Sequence, residues 1–155
     1  AETVDNPYQR PAHRIDLGLL HSLAGRHEEA LGIYRELLEK NPDDAAALAN
    51  VGFTLIVQEQ YDEAHTIFEK LLAANPEDAY ALSQIGLIQY HRQGAPAGLP
   101  EMEKAATAAP ENAYALRNLA IYHFEQGNKT EAKSLFEKAL ELDPSVYEGL
   151  AYLCL

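Results

Sequence analysis

The chain of 155 residues is poor in cysteine, in cations and in long apolar runs. Its single cysteine, Cys154, excludes an internal disulfide, because that bond needs two cysteines. Lys and Arg number 12 against 24 Asp and Glu, and the resulting net charge of −12 opposes binding to nucleic acid or to anionic lipid. Apolar stretches such as 51–57 and 85–88 are far shorter than the roughly 20 residues that cross a bilayer, so we expect no membrane insertion.

The residue constellations of catalysis are missing as well. A catalytic site needs a nucleophile with a base, paired carboxylates, a metal set or a phosphate-binding loop, and none of these occurs at a recognisable spacing. The segment His27-Glu28-Glu29 lacks the second histidine that a zinc-binding helix places four residues on, and the six histidines are dispersed along the chain. The sequence therefore predicts no enzyme, no metal site and no cofactor.

A repeat of 34 residues is present instead. Proline recurs at this interval, at Pro42, Pro76, Pro110 and Pro144. Counted as 11–44, 45–78, 79–112 and 113–146, the four units carry small residues at position 8 (Gly18, Gly52, Gly86, Ala120) and position 20 (Ala30, Ala64, Gly98, Ala132), and large residues at position 24 (Tyr34, Phe68, Met102, Phe136). A fixed period of this length predicts a helical repeat architecture.

The pattern resembles that of the tetratricopeptide repeat (TPR) family over residues 11–155. The resemblance implies an all-α, right-handed superhelical solenoid of antiparallel helix pairs. Two short amphipathic helices cannot bury their apolar faces alone, so each pair stacks on the next, and small residues mark where two helices come closest. We interpret 11–155 as a single TPR domain of four repeats with a terminal helix at 147–155, preceded by an extension at 1–10.

Helix boundaries follow from prolines and glycines. We expect helices near 11–24, 27–40, 45–58, 61–74, 79–92, 100–109, 113–126, 129–142 and 147–155. Gly25 and Gly127 lie where a first helix ends and suit the left-handed cap conformation. The third repeat is irregular, because a Gly- and Pro-rich segment occupies 94–100, and we predict that its second helix starts late with Pro100 in the first turn.

In TPR proteins the first helix of each pair lines a concave surface, where positions 2, 5, 6, 9, 12 and 13 face the ligand. The resemblance implies a peptide-binding groove that is largely apolar and aromatic and is formed by Leu19, Asn50, Phe53, Ile56, Tyr80, Gln84, Leu87, Tyr90, His91, Tyr114, Arg117, Asn118, Ile121 and Phe124. The family's clamp for C-terminal carboxylates needs Lys, Arg and Asn, but the matching places hold residues such as Ala49, Phe53 and Gln84, so we exclude that clamp.

The predicted function is a protein–protein interaction scaffold or adaptor that holds a peptide or an amphipathic helix of another protein in this groove. The apolar rows are similar to those of TPR members that shelter hydrophobic segments of client proteins, including secretion chaperones of bacterial type III systems. A simpler alternative is that these side chains only pack between neighbouring helices. The segment 1–10 is a further candidate occupant of the groove, and the compartment stays open between cytoplasm and periplasm.

The second hypothesis is a self-assembling structural scaffold, a homo-oligomer formed through the groove or through the apolar segment 147–155. Leu150, Leu153 and Leu155 are the expected contacts, because Glu148 is the only charged residue of that segment. Continuation of the natural chain beyond this segment, or a plain cap, are the other two interpretations.

Overall fold

A computed structural model describes residues 10–144 and 146, and the fold of this part of the chain is all-α. Its helices are α1 (Pro11–Leu23), α2 (His27–Lys40), α3 (Ala45–Val57), α4 (Tyr61–Ala74), α5 (Ala79–Gln93), α6 (Ala95–Ala108), α7 (Ala113–Glu125) and α8 (Lys129–Leu142). The predicted all-α class is thus confirmed, and seven of the predicted helices match within two residues. None of the described helices is both long and apolar enough to cross a membrane. The predicted helix at 147–155 lies outside the described residues.

The chain divides into two compact units between Leu71 and Leu72. In the first unit, α1 packs against α2 and both contact α3. In the second unit, α5 packs against α6, α7 against α8, and α7 also contacts both α5 and α6. The buried side chains of the second unit form small clusters among the described residues. Their members are Leu82, Ala105 and Ala115; Met102, Leu119 and Tyr122; Ala120, Ala132 and Phe136; and Ala113, Leu116, Ala139 and Val146.

The helices α3, α5 and α7, each the first helix of its repeat, begin at the same kind of N-terminal cap, and these caps are spaced 34 residues apart. The side-chain oxygens of Asp44, Asp78 and Asn112 accept hydrogen bonds from the backbone N–H three residues on, at 3.0, 2.8 and 3.0 Å. Each satisfies a helix-terminal donor that has no partner within the helix. The repeat therefore specifies the starts of α3, α5 and α7 locally.

The turns after α1, α3 and α7 also share one geometry. Gly25, Glu59 and Gly127 adopt left-handed backbone angles, with φ of 75°, 59° and 81°. In each turn the next residue donates its N–H to the carbonyl five positions back, as Gln60 does to Leu55 at 2.9 Å. The predicted left-handed caps at Gly25 and Gly127 are confirmed, whereas Glu59 takes this conformation without the freedom of glycine.

Small residues at position 8 allow two kinds of close helix crossing. A Cβ added at Gly18 would lie 2.4 Å from Cε1 of Tyr34, and one added at Gly52 would lie 2.6 Å from Cζ of Phe68. In the α5/α6 pair the backbones themselves meet, because a Cβ added at Gly98 would lie 2.3 Å from the carbonyl oxygen of Gly86. The small residues thus lie where the two helices of a pair come closest.

The prediction that α6 starts near residue 100 is wrong, because the helix begins at Ala95. Gly94, with φ of 88°, ends α5 and precedes α6, and Pro96 lies in the first turn, where its missing N–H is not needed. Pro100 lies inside the helix and forfeits one backbone hydrogen bond. With its amide oriented to donate, Gln89 reaches the carbonyl of Ala97 at 2.7 Å, and this bond together with the Gly98 contact holds the early turns on α5.

Candidate functional site

A small apolar depression lies where α5 and α7 run beside each other in the second unit. It is lined by Leu87, Tyr90, Met102, Asn118, Ile121, Tyr122 and Glu125. Its volume is about 40 Å³, far below the 300 to 1,000 Å³ of a typical small-molecule site. The depression therefore suits one or two side chains of a polypeptide lying across the surface rather than an enclosed small molecule.

Four residues of the predicted groove line this depression: Leu87, Tyr90, Asn118 and Ile121. The lining also includes Glu125, which the sequence interpretation omitted although it lies at position 13 of its repeat, one of the ligand-facing positions. The hydroxyl of Tyr90 donates a hydrogen bond to the Glu125 carboxylate. This bond, with a smaller effect of burial, raises the pKa of Tyr90. The pair joins α5 to α7 at one edge of the depression.

Arg117 on α7 forms the polar part of the same surface. Its Nε and Nη2 atoms donate to Oδ1 of Asn118 at 3.3 and 3.1 Å, and its guanidinium carbon lies 5.0 Å from the centre of the Tyr114 ring. Burial lowers the pKa of Arg117, and the neighbouring Tyr114 partly offsets that effect. Asn118, only 7% exposed, connects Arg117 to the apolar depression because it contacts both.

The remaining predicted residues of this unit differ in their exposure. Tyr80 is half-buried, and burial, Asp78 and Tyr114 together raise its pKa to about 12. Tyr114 is 49% exposed and His91 is exposed, whereas Gln84 is half-buried.

Four of the predicted groove residues also contribute to helix packing. Leu87 and Tyr90 pack partly against the buried cluster that contains Met102. Ile121 and Phe124 pack partly against the α7/α8 cluster of Ala120, Ala132 and Phe136. Packing between helices therefore accounts for part of the apolar character of α5 and α7, as the simpler alternative expects.

In the first unit, the predicted residues Leu19, Phe53 and Ile56 are half-buried on α1 and α3. Asn50 donates from its side-chain nitrogen to the carbonyl of Ala46 at 2.8 Å, one turn earlier in its own helix. One of its two amide protons is therefore engaged within the helix. As ligand-binding residues, these four stay a prediction.

A second, wider hollow in the second unit contains no predicted groove residue. It is lined by Pro76, Glu77, Leu82, Pro100, Glu103, Lys104, Thr107 and Ala108. Lys104 pairs with Glu101 on the same helix at 3.2 Å, and the lining also carries the carboxylates of Glu77 and Glu103. Among the described residues no cluster of three or more His, Cys, Asp or Glu side chains is placed to hold a metal ion. Leu150, Leu153 and Leu155 lie outside the described residues.

The capped helix pairs with small residues at their crossings define an all-α helical-repeat protein. Two TPR family models match the sequence, one over residues 23–85 and one over residues 113–146, and together they cover more than half of the chain. The chain belongs to the tetratricopeptide repeat family. Members of this family are generally non-enzymatic scaffolds that bind other proteins.

Solved structures show the same fold. A thermophilic TPR protein of Thermus thermophilus matches with a TM-score of 0.78 and 20% identity, over 92% of this chain and 80% of that one. PilF of Pseudomonas aeruginosa matches with a TM-score of 0.71 and 27% identity, over 92% and 66%. YrrB, described as a TPR protein with an unusual peptide-binding site, matches with a TM-score of 0.59 and 27% identity, over 85% and 68%. No curated protein matches the sequence.

Proposed function

We propose that this protein is a non-enzymatic interaction module whose α5/α7 surface holds an apolar segment of another polypeptide, either extended or helical. The observation that carries the proposal is the depression lined by Leu87, Tyr90 and Ile121, with the exposed ring of Tyr114 on the same two helices. The likeness to YrrB, 27% identical and described by its peptide-binding site, supports the same class of ligand. Holding apolar segments of clients would be a chaperone-like role.

The magnitudes show what the apolar contacts supply. Full burial of a large apolar side chain contributes roughly 1.5 to 3 kcal/mol, and these side chains are already about half buried. Four of them therefore contribute roughly 3 to 6 kcal/mol, whereas association costs about 4 to 15 kcal/mol. Apolar contact alone is therefore marginal, and the proposal assigns the remaining affinity to the polar groups beside the depression.

The test uses peptides selected on the wild-type protein from a displayed library of random 12-residue sequences. Leu87→Asp places a charge in the depression and should weaken the selected peptides at least tenfold, because a buried unpaired carboxylate is costly. Leu142→Asp on α8, where the leucine is 40% exposed, is the matched control and should leave the affinity unchanged. Circular dichroism checks that both variants are folded. Equal affinity for wild type and Leu87→Asp would reject this surface.

Self-association is the second candidate, and one observation on α1 favours it. Leu17 and Leu20 are 45% and 62% exposed, whereas Leu119 and Tyr122, at the same repeat positions on α7, are each 8% exposed and cluster with Met102 of α6. An apolar helical face of this kind is typical of association surfaces. Light scattering coupled to size exclusion over a hundredfold concentration range, on wild type and on Leu20→Asp, tests the idea. A monomer throughout the range rejects it.

A further inference from the structure

The Arg117 guanidinium is fixed in position by its neighbours but has no anionic partner among the described residues. Asn118 Oδ1 receives two of its five N–H donors, and the Tyr114 ring lies beside it. Among residues 10–144 and 146, no carboxylate forms an ion pair with Arg117. Arg14 pairs with Glu36, Lys70 with Asp43 at 3.0 Å and Lys104 with Glu101 at 3.2 Å. Cations without an ion pair in this part of the chain, such as Arg35 and Lys40, are exposed to solvent, whereas Arg117 is half-buried.

The local charge of this surface differs from that of the whole chain. The chain carries a net charge of −12, but the sequences of α5 and α7 contain a single carboxylate, Glu125. Asp78 adds one more carboxylate at the N-terminal cap of α5. That carboxylate accepts the hydrogen bond of Tyr90. A guanidinium that is half-buried interacts more strongly with an incoming carboxylate than a fully solvated cation does, because water screens the pair less.

Asn118 links the cation to the apolar depression. Its Oδ1 atom is engaged by Arg117, while its Nδ2 atom has no hydrogen-bond partner among the described residues and is available to donate to a ligand carbonyl. Along α7, Tyr114 lies about one turn before Arg117, and Ile121 lies about one turn after it. A ligand chain would therefore meet aromatic or apolar surface on both sides of the cation, which suits an internal residue better than a chain end.

We infer that Arg117, fixed by Asn118 and Tyr114, binds the side-chain carboxylate of an Asp or Glu within the captured segment, next to an apolar residue that enters the depression. This inference rests on the proposed function and specifies its ligand: an apolar segment with one acidic anchor. A longer acidic tract is disfavoured, because the net charge of −12 would repel it.

The test of this inference uses the same displayed library of 12-residue peptides. Peptides are selected from it in parallel on the wild-type protein, on Arg117→Gln and on Arg35→Gln. Arg35 is an exposed residue of α2 and provides the matched loss of one positive charge. Wild type and Arg35→Gln should enrich peptides with Asp or Glu beside apolar residues, and Arg117→Gln should enrich apolar residues without the acid. Arg117→Lys should keep a weaker acidic preference, because lysine retains the charge but not the fork of donors.

One selected peptide then gives the decisive comparison. Replacing its Glu by Gln should weaken binding to wild type about tenfold, the loss of one charge-assisted contact, and should change binding to Arg117→Gln less than twofold. Selected binders without acidic enrichment, or an equal loss on both proteins, would overturn the inference and leave the proposed function standing. A library that yields no binder on wild type would reject the proposed function itself, and the inference with it.

Discussion

The first and third helix pairs reach close packing by different means. In α1/α2 the Tyr34 ring fills the space over Gly18, and the turn between the helices contains a left-handed glycine at Gly25. In α5/α6 the backbones meet at Gly86 and Gly98, and Gly94 is the only residue between the two helices. The glycine at position 8 thus faces a ring from position 24 in the first pair, and in the third pair it meets both Met102 from position 24 and the backbone of the glycine at position 20. The second arrangement leaves less room for adjustment.

The largest effect should come from Gly98→Ala. The new Cβ would lie 2.3 Å from the Gly86 carbonyl oxygen, and because that atom belongs to a helix backbone the two helices must separate. We expect a loss of about 2 to 3 kcal/mol in the free energy of unfolding, measured by urea denaturation, despite the better helix propensity of alanine. A stability equal to that of wild type would contradict the backbone contact.

Gly18→Ala should have a smaller effect, because the atom it meets belongs to a side chain. Cε1 of Tyr34 is 2.4 Å from the added Cβ, but the ring has rotatable bonds that can shift it. The expected loss is about 1 to 2 kcal/mol. Gly32→Ala on α2 is the control, since a Cβ there meets nothing within 4 Å, and it should stabilise the helix by about 0.5 to 1 kcal/mol. Equal losses at Gly18 and Gly98 would show that the two crossings are equally rigid.

The turn of the second pair can be made to match that of the first. Glu59 has a left-handed φ of 59°, which costs a residue with a Cβ roughly 1 to 2 kcal/mol. Glu59→Gly removes that strain from the folded state but also raises the conformational entropy of the unfolded chain. The free energy of unfolding should therefore rise by only about 0.5 to 1 kcal/mol. Gly127→Ala, at the same position of the last pair, should destabilise by a similar amount. A destabilised Glu59→Gly would mean that the glutamate makes a compensating contact.

The smallest effect concerns the Tyr34 hydroxyl, which is buried without a hydrogen-bond partner among the described residues. Tyr34→Phe removes it and should change stability at neutral pH by at most about 1 kcal/mol, in the stabilising direction. Burial raises the pKa of Tyr34 to about 12, above its ordinary value of 10. Between pH 10 and 12 the unfolded chain therefore loses this proton first, and the free energy of unfolding falls as pH rises. That fall should be shallower in Tyr34→Phe; identical pH profiles would show that Tyr34 does not titrate in this way.

Most helix boundaries could be predicted because their causes are local. The periodic prolines, the Asp and Asn caps and Gly25 each act within a few residues of the boundary that they set. The start of α6 could not be predicted in this way. Pro100 indicated a late start, because proline cannot donate a backbone hydrogen bond inside a helix. The contact of Gly98 with Gly86, twelve positions earlier, outweighs that lost hydrogen bond.

The candidate surface was accessible to sequence reasoning only in part. The repeat frame identified Leu87, Tyr90, Asn118 and Ile121, which the structure places around one depression. Glu125 was within reach of the same frame at position 13, but its bond with Tyr90 joins two helices and has no local signature. The engagement of Asn118 by Arg117 depends on side-chain rotamers, which no spacing reveals. As a binding site, the whole groove stays a prediction.

The central claim is that α5 and α7 form the ligand surface. The most direct test is chemical-shift mapping on the ¹⁵N-labelled protein, titrated with peptides selected from the random library. We predict that the largest shifts fall on Leu87, Tyr90, Tyr114, Asn118 and Ile121. Shifts concentrated instead on Leu17, Leu20 and Leu23 of α1 would contradict the account and would assign ligand binding to the exposed face of the first helix.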